Sequence, residues 1–389
     1  MKNNIKVAII TTSMPRYIHD NRSPFILDLG MAIKSLGNNV SIISMHVPNT
    51  SKEEVIGNIH VKRLPYFFER YELLQETRAG IPAAWRKNKF SIFLVLFFLV
   101  RLTIFLIIHG HEFDVIHANW TLSSLSAVIS KPFHKRPVVT TLHGSDIFSA
   151  SKYNIFKFPT KISLKGSNKI ICVSTALQNE ILQMGIAKNI ISVIPNGITT
   201  DYFYVNSSID RKKEILFVGS LTQNKGVRFL LESFSQIHKK YPKFSLRIIG
   251  DGPEEKFLKK ISKKLGLEEN VTIHKSIPHN EIGSVMRKSY MFVLPSFQEG
   301  FGVVLLEALA SGLPCIAFAS GGVKDVLGDG RGILVEPGNA KELTSAMEVL
   351  INDYDLYKAL IEKGQTFSRQ YSWDSIAKRV VSVYEKILN

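Results

Sequence analysis

Short apolar runs alternate with longer, helix-period segments along most of this chain. Val7-Ala8-Ile9-Ile10 predicts a strand, Phe25 to Leu36 a helix ended by Gly37, and Val40-Ser41-Ile42-Ile43 the next strand. Val115-Ile116, Val138-Val139-Thr140-Thr141, Ile170-Ile171-Cys172-Val173 and Ile191 to Ile194 continue the series. A second series begins at Ile215-Leu216-Phe217-Val218. It runs on through Ser245 to Ile249, Val271-Thr272-Ile273, Met291 to Leu294, Cys315-Ile316-Ala317 and Gly332 to Val335. Val- and Ile-rich runs separated by helices are the pattern of strands buried on both faces of a parallel sheet. Two such series predict an α/β protein of two Rossmann-like, doubly wound domains facing a central cleft. Ligands are expected in that cleft, near the C-terminal ends of the strands. The first domain is expected over 1–196 and the second over 197–371. The linker Asn196 to Arg211 joins them, marked by Pro195-Asn196-Gly197 and Asn206-Ser207-Ser208. The last amphipathic segment, 372–389, is a candidate to pack back across the first domain.

A length of 389 residues suits two domains of ordinary size. Cys172 and Cys315 lie in apolar, strand-like segments and read as core thiols in a reducing compartment, with no disulfide or metal framework. Lys2 to Lys6 leads straight into a strand, which predicts no cleavable secretory signal and a cytoplasmic location. Charge sharpens the picture. The net value of +16 is concentrated in residues 1–196, which hold 23 Lys/Arg against 11 Asp/Glu, while the remainder holds 26 against 22. A basic half suits nucleic acid, an anionic membrane or a phosphorylated substrate. The almost wholly apolar run Phe90 to Ile108, preceded by Arg86, Lys87 and Lys89, selects among these. It is long enough to cross a bilayer. However, Arg101 lies within it, and crossing would separate strands of one domain. The favoured reading is a helix on an anionic membrane surface, peripheral on the inner face; the other is a buried core helix. No nucleic-acid-binding signature accompanies the charge.

The candidate chemistry centres on Phe297 to Pro314. Glu299 stands just before a glycine-flanked turn, and Glu307 lies inside the apolar helix expected from Val303 to Ala310, stopped by Gly312 and Pro314. Amides at a helix start suit a phosphate. A carboxylate on either side of such a site repels phosphate and instead accepts hydrogen bonds from hydroxyls. Hydroxyls flanking a diphosphate describe a nucleotide sugar. Lys225, near the start of the helix beginning at Val227, is placed to reach a diphosphate as a mobile point charge. In the first domain, His143 and Asp146 follow a strand within Thr141-Leu142-His143-Gly144-Ser145-Asp146 and are expected to face the cleft.

These loops resemble the retaining, nucleotide-sugar-dependent glycosyltransferases of family 4, which have the GT-B fold. The most specific match is the Glu-x7-Glu signature, Glu299 and Glu307. Supporting matches are Val-Gly-Ser-Leu leading to Lys225-Gly226, Gly250-Asp251-Gly252-Pro253, Pro195-Asn196-Gly197-Ile198, Ser320-Gly321-Gly322-Val323 and Gly332-Ile333-Leu334-Val335. Asp114 to Trp120 and Leu142 to Asp146 look like the branch that builds bacterial surface polysaccharide. The resemblance implies sugar contact for Glu299, ribose contact for Glu307 and diphosphate contact for Lys225. It adds phosphate-binding amides at Phe301, Gly302 and Val303 beside the Gly219-Ser220 loop, and approach to the donor sugar for His143. It further implies no metal or other cofactor; the acceptor is expected to be lipid-linked or an oligosaccharide, lipid linkage following from the basic apolar helix at Phe90 to Ile108. Two departures stand out. Ser220 replaces the family's usual Arg, and Ser13 to Phe25 replaces its paired glycines, so Arg16 or Arg22 is a candidate source of the missing charge. The rival readings are a nucleotide-sugar epimerase of the same fold and a catalytically weak nucleotide-sugar-binding scaffold.

Overall fold

The computed structural model describes residues 4–75, 91–152, 154–204 and 211–389. The basic flank Arg86, Lys87 and Lys89 and the linker residues Asn206, Ser207 and Ser208 lie outside the described residues. The chain divides into two compact units. One comprises Met1–Gly197 with Trp373–Asn389, the other Ile198–Ser372.

The first unit is built on an eight-stranded sheet. Its strands are β1 (Lys6–Thr11), β2 (Asn39–Met45), β3 (Glu53–Ile56), β4 (Ile59–Leu64), β5 (Val115–Asn119), β6 (Val138–Leu142), β7 (Lys169–Cys172) and β8 (Ile191–Val193). They lie in the order β3-β4-β2-β1-β5-β6-β7-β8. Every neighbouring pair is parallel except β3 with β4. All five residues of β5 and of β6 are buried, as a strand covered on both faces requires. The antiparallel β3–β4 hairpin is absent from the sequence-based expectation. Its first strand, Glu53-Glu54-Val55-Ile56, is half acidic, and its second alternates apolar and polar residues over Ile59-His60-Val61-Lys62, so neither has the continuous apolar run that marks the other strands.

The helix Ser91–His109 is packed into the core on one side and exposed on the other. Leu94, Phe98, Leu102 and Leu106 are buried in one cluster with Ala8, Ile10, Ile43 and Ile116 of the sheet. Phe93, Leu96, Val100 and Ile108 on the same helix are each more than half exposed. The helix Trp373–Leu388 also belongs to this unit. It packs on the helix Pro24–Ser35, and buried Tyr384 reaches β5 through a 2.6 Å hydrogen bond between its hydroxyl and His117 Nδ1.

The second unit is wholly parallel: β9 (Glu214–Val218), β10 (Ser245–Ile249), β11 (Val271–His274), β12 (Met291–Leu294), β13 (Cys315–Phe318) and β14 (Ile333–Val335), in the order β11-β10-β9-β12-β13-β14. The strand order reverses between β1 and β5 in the first unit and between β9 and β12 in the second. Loops leaving the C-terminal ends of strands at such a reversal diverge and leave room for a ligand.

Candidate active site

In the second unit, the loops after β9, β12 and β13 meet beside the β9/β12 reversal. Lys225 ends a single turn of tight helix after β9, and the next residue, Gly226, has φ +62°. A Cβ at Gly226 would lie 2.0 Å from the Pro295 carbonyl oxygen, so only glycine allows the β9 loop to pass under the β12 loop. Two bonds tie these loops: Phe297 N–H donates to the Asn224 carbonyl at 2.8 Å, and Asn224 Nδ2 donates to the Gln298 carbonyl at 3.0 Å. The result is that the Lys225 amine donates to the Glu299 carboxylate, both side chains largely buried. From the β13 side, Gly322 N–H donates to the Glu299 carbonyl at 3.0 Å and Ser320 Oγ to the Ser296 carbonyl at 2.7 Å. Glu299 is thereby held by backbone on two sides.

The helix Val303–Ala310 starts at Gly302, whose φ is +88°, with no side chain capping it. Its first amides have no acceptor within the helix and stand at its positive end beside Glu299. Phe301 is buried against Tyr371, their ring centroids 6.1 Å apart. Glu307, one turn into this helix, is 5% exposed, and its Oε1 lies 2.7 Å from His279 Nε2. His279 opens the helix His279–Lys288 behind Pro278, with its ring against Phe203. It was not singled out in the sequence. A histidine 28 positions from its partner leaves no spacing signal, and only its place behind a proline at a helix start hints at a fixed orientation. Gly219 N–H donates to the Ile249 carbonyl at 3.0 Å, whereas Ser220 is exposed on the β9 loop.

The first unit carries a second polar cluster at the ends of β5 and β6. His143 packs against the rings of Phe25 (4.7 Å) and Trp120 (4.8 Å), and its Nε2 is 2.9 Å from Asn119 Oδ1. Trp120 itself sits at φ +65°, a strained conformation for a bulky residue. Burial, reinforced by nearby His117, lowers the His143 pKa to about 3, so the ring is neutral at physiological pH. Its Nδ1 and the Asn119 Nδ2 are both buried with no hydrogen-bond partner among the described residues. Gly144 N–H donates to Asp146 Oδ1 at 3.0 Å. Burial raises the Asp146 carboxyl to about 6, against the lowering effect of backbone N–H groups including those of Ile147 and Gly144. Arg16 and Arg22 lie in this unit, on the segment after β1. Arg16 Nε donates to Asp20 Oδ2 at 2.9 Å; burial would raise the Asp20 carboxyl, but these bonds outweigh it and hold it below the ordinary carboxylate value. Arg22 is buried. Among the described residues, no three His, Cys, Asp or Glu side chains gather as a metal-ligating group.

Two successive Rossmann-like units of parallel strands, each with loops opening at a strand-order reversal, constitute the GT-B architecture. The chain belongs to the family 4 glycosyltransferases. Residues 24–202 match the family described as Glycosyltransferase Family 4, and residues 200–367 match Glycosyl transferases group 1. An uncharacterized glycosyltransferase of Methanocaldococcus jannaschii is 32% identical over 292 residues, covering 72% of this chain and 78% of that protein. The gpi3 subunit of phosphatidylinositol N-acetylglucosaminyltransferase from Schizosaccharomyces pombe is 28% identical over 312 residues, 78% of this chain and 67% of its own length. Among solved structures, Anabaena HepE in complex with UDP-glucose shares the fold, with a TM-score of 0.76 at 18% identity over 98% of this chain and 100% of that one. The protein is a glycosyltransferase.

Proposed function

We propose that this glycosyltransferase moves a hexosyl group from a nucleoside diphosphate sugar, with retention of configuration, to a lipid-linked or oligosaccharide acceptor in the building of cell-surface polysaccharide. The observation that carries the reading is the Lys225 amine bonded to Glu299 beside the open start of the helix that bears Glu307. An amine and unpaired amides offer positive charge to a diphosphate, while the two carboxylates offer acceptors to hydroxyls on either side of it. In this reading, Glu299 takes hydroxyls of the sugar. Glu307, oriented by His279, takes those of the ribose. His143, neutral and with Nδ1 unpartnered, accepts a sugar hydroxyl. The bond between the sugar and the diphosphate breaks with its electron pair going to the phosphate oxygen, the acceptor oxygen bonds to the sugar carbon, and the acceptor proton leaves to the departing diphosphate. Lys225 and the helix amides neutralise that charge, so the reaction is proposed to need no metal or other cofactor.

Two relatives support the substrate classes. HepE is named in complex with UDP-glucose, and the fission-yeast relative is named as part of a phosphatidylinositol N-acetylglucosaminyltransferase. The half-exposed apolar helix Ser91–His109 supports a peripheral position on the inner face of the membrane. Mass spectrometry of products after incubation with a panel of nucleotide sugars and membrane lipid tests the proposal. Glu299→Ala is expected to abolish transfer while keeping the wild-type melting profile; equal turnover in that variant would overturn the assignment.

A further inference from the structure

Three helices of the first unit share a composition that glycosyl transfer itself does not use. Ser91–His109, Trp120–His134 and Asn154–Gly166 lie side by side. Ser126 Oγ donates to the Leu99 carbonyl at 3.2 Å, and Lys131 Nζ donates to the Gly166 carbonyl at 3.0 Å. None of the three contains an Asp or Glu, yet together they carry Arg101, Lys131, Lys157, Lys161 and Lys165. Each also turns apolar side chains to solvent at helical spacing. Leu96, Val100 and Ile104 do so on the first helix, and Ile129 and Phe133 on the second. On the third, Phe158 is 73% exposed and Ile162 is exposed one turn later. Exposed Lys157, Lys161 and Lys165 form a row directly beside that apolar row.

We propose that this three-helix face docks flat on an anionic bilayer. The inference rests on the peripheral-membrane part of the reading above and extends it from one helix to a surface. Apolar patches of this breadth on a soluble unit mark an interaction surface. A second copy of the chain is a poor occupant, because a twofold interface would oppose lysine rows with no carboxylate on these helices to pair with them. A bilayer with acidic headgroups supplies both an apolar layer for the phenylalanines and negative charge for the lysines. The helix Ser91–His109 then lies in the interface plane, since its opposite side is packed into the sheet core.

The test uses the full-length protein and sedimentation with phosphatidylcholine vesicles, with and without phosphatidylglycerol. The wild type is expected to bind the anionic vesicles selectively and to be released by salt. Lys157→Gln, Lys161→Gln and Lys165→Gln combined should weaken binding roughly a hundredfold. Phe158→Ser with Ile162→Ser should weaken it at least about tenfold. Both variants alter exposed positions and should keep the wild-type melt. Undiminished vesicle binding in either variant, or equal binding of the wild type to neutral vesicles, overturns the proposal. So does a lipid-free dimer that the same substitutions dissolve. If binding is lost only when Leu96→Ser and Ile104→Ser are introduced, membrane contact is confined to one helix and the three-helix face fails alone. Intact vesicle binding without sugar transfer to either a lipid-linked or an oligosaccharide acceptor would instead sink the acceptor reading above and leave this one standing.

Discussion

Asp146 and His143 show how burial sets the charge state of the first unit's polar cluster. Both are pushed towards their neutral forms, the histidine to about 3 and the aspartate to about 6. A neutral imidazole offers hydrogen bonds rather than charge, which suits contact with an uncharged hydroxyl better than with a phosphate. The aspartate gives a pH prediction. Its folded pKa stands above the ordinary 3.8, so between pH 4 and 6 the folded state keeps a proton that the unfolded chain has released. Stability from this group is therefore fully present below about pH 4 and lost as pH rises through about 6. Asp146→Asn removes that dependence while keeping the oxygen that Gly144 N–H bonds. The variant should gain on the wild type by on the order of 1–3 kcal/mol between pH 4 and pH 7. Both tryptophans among the described residues, Trp120 and Trp373, fall in the first unit, so their emission during urea unfolding reads that unit. A stability difference that stays constant with pH would show that Asp146 is not the titrating group.

Among the elements, the turn after β9 does more than its sequence suggests. Gly226 lets the chain pass against Pro295, and Lys225, its neighbour, is thereby set against Glu299. Gly226→Ala must adopt a left-handed backbone, at about 1–2 kcal/mol, and also push away a carbonyl oxygen 2.0 Å from its new Cβ. Donor affinity should fall at least about tenfold together with a lower melting temperature. Isothermal titration with a panel of nucleotide sugars and a thermal melt check this, and an alanine variant matching the wild type in both would refute the packing argument. The elements that were legible in sequence carry short apolar runs, and β5, β6, β9 and β12 among them are buried on both faces. The helix Val303–Ala310 and the strands β10 and β12 lie where their apolar runs predicted. The β3–β4 hairpin was hidden because an edge pair wets one face and mixes Glu, Lys and His into its strands. Glu299, Glu307, Lys225 and His143 stand out in the sequence as candidates because glycine-rich turns and strand ends surround them. His279 and the His143–Asn119 pair were not readable as partners, because a contact between distant loops depends on sheet order, which no local pattern carries.

At the scale of the whole molecule, the chain leaves its first unit near Gly197 and returns to it at Trp373. The returning helix is not a loose strap. Trp373, Ile376, Val380 and Tyr384 are buried, and Arg379 donates to the Val193 carbonyl at 2.8 Å. The Tyr384 hydroxyl is hydrogen-bonded to His117 Nδ1, and His117 Nε2 to Thr141 Oγ1 at 2.7 Å, a chain of bonds from helix to β5 to β6. Complete burial lowers the His117 pKa to about 3, so the neutral ring relays the bonds. Because His117 and Tyr384 are 267 positions apart, the first unit cannot finish its core until the second has been synthesised. Tyr384→Phe keeps the ring in the core and removes only the hydroxyl, leaving His117 Nδ1 buried without its partner. The first unit should lose about 1–3 kcal/mol. Amide exchange in Val115–Asn119 should quicken accordingly, while Met291–Leu294 in the second unit keeps its protection. Equal protection of β5 in variant and wild type would mean that helix packing alone, without the buried bond, closes the first unit.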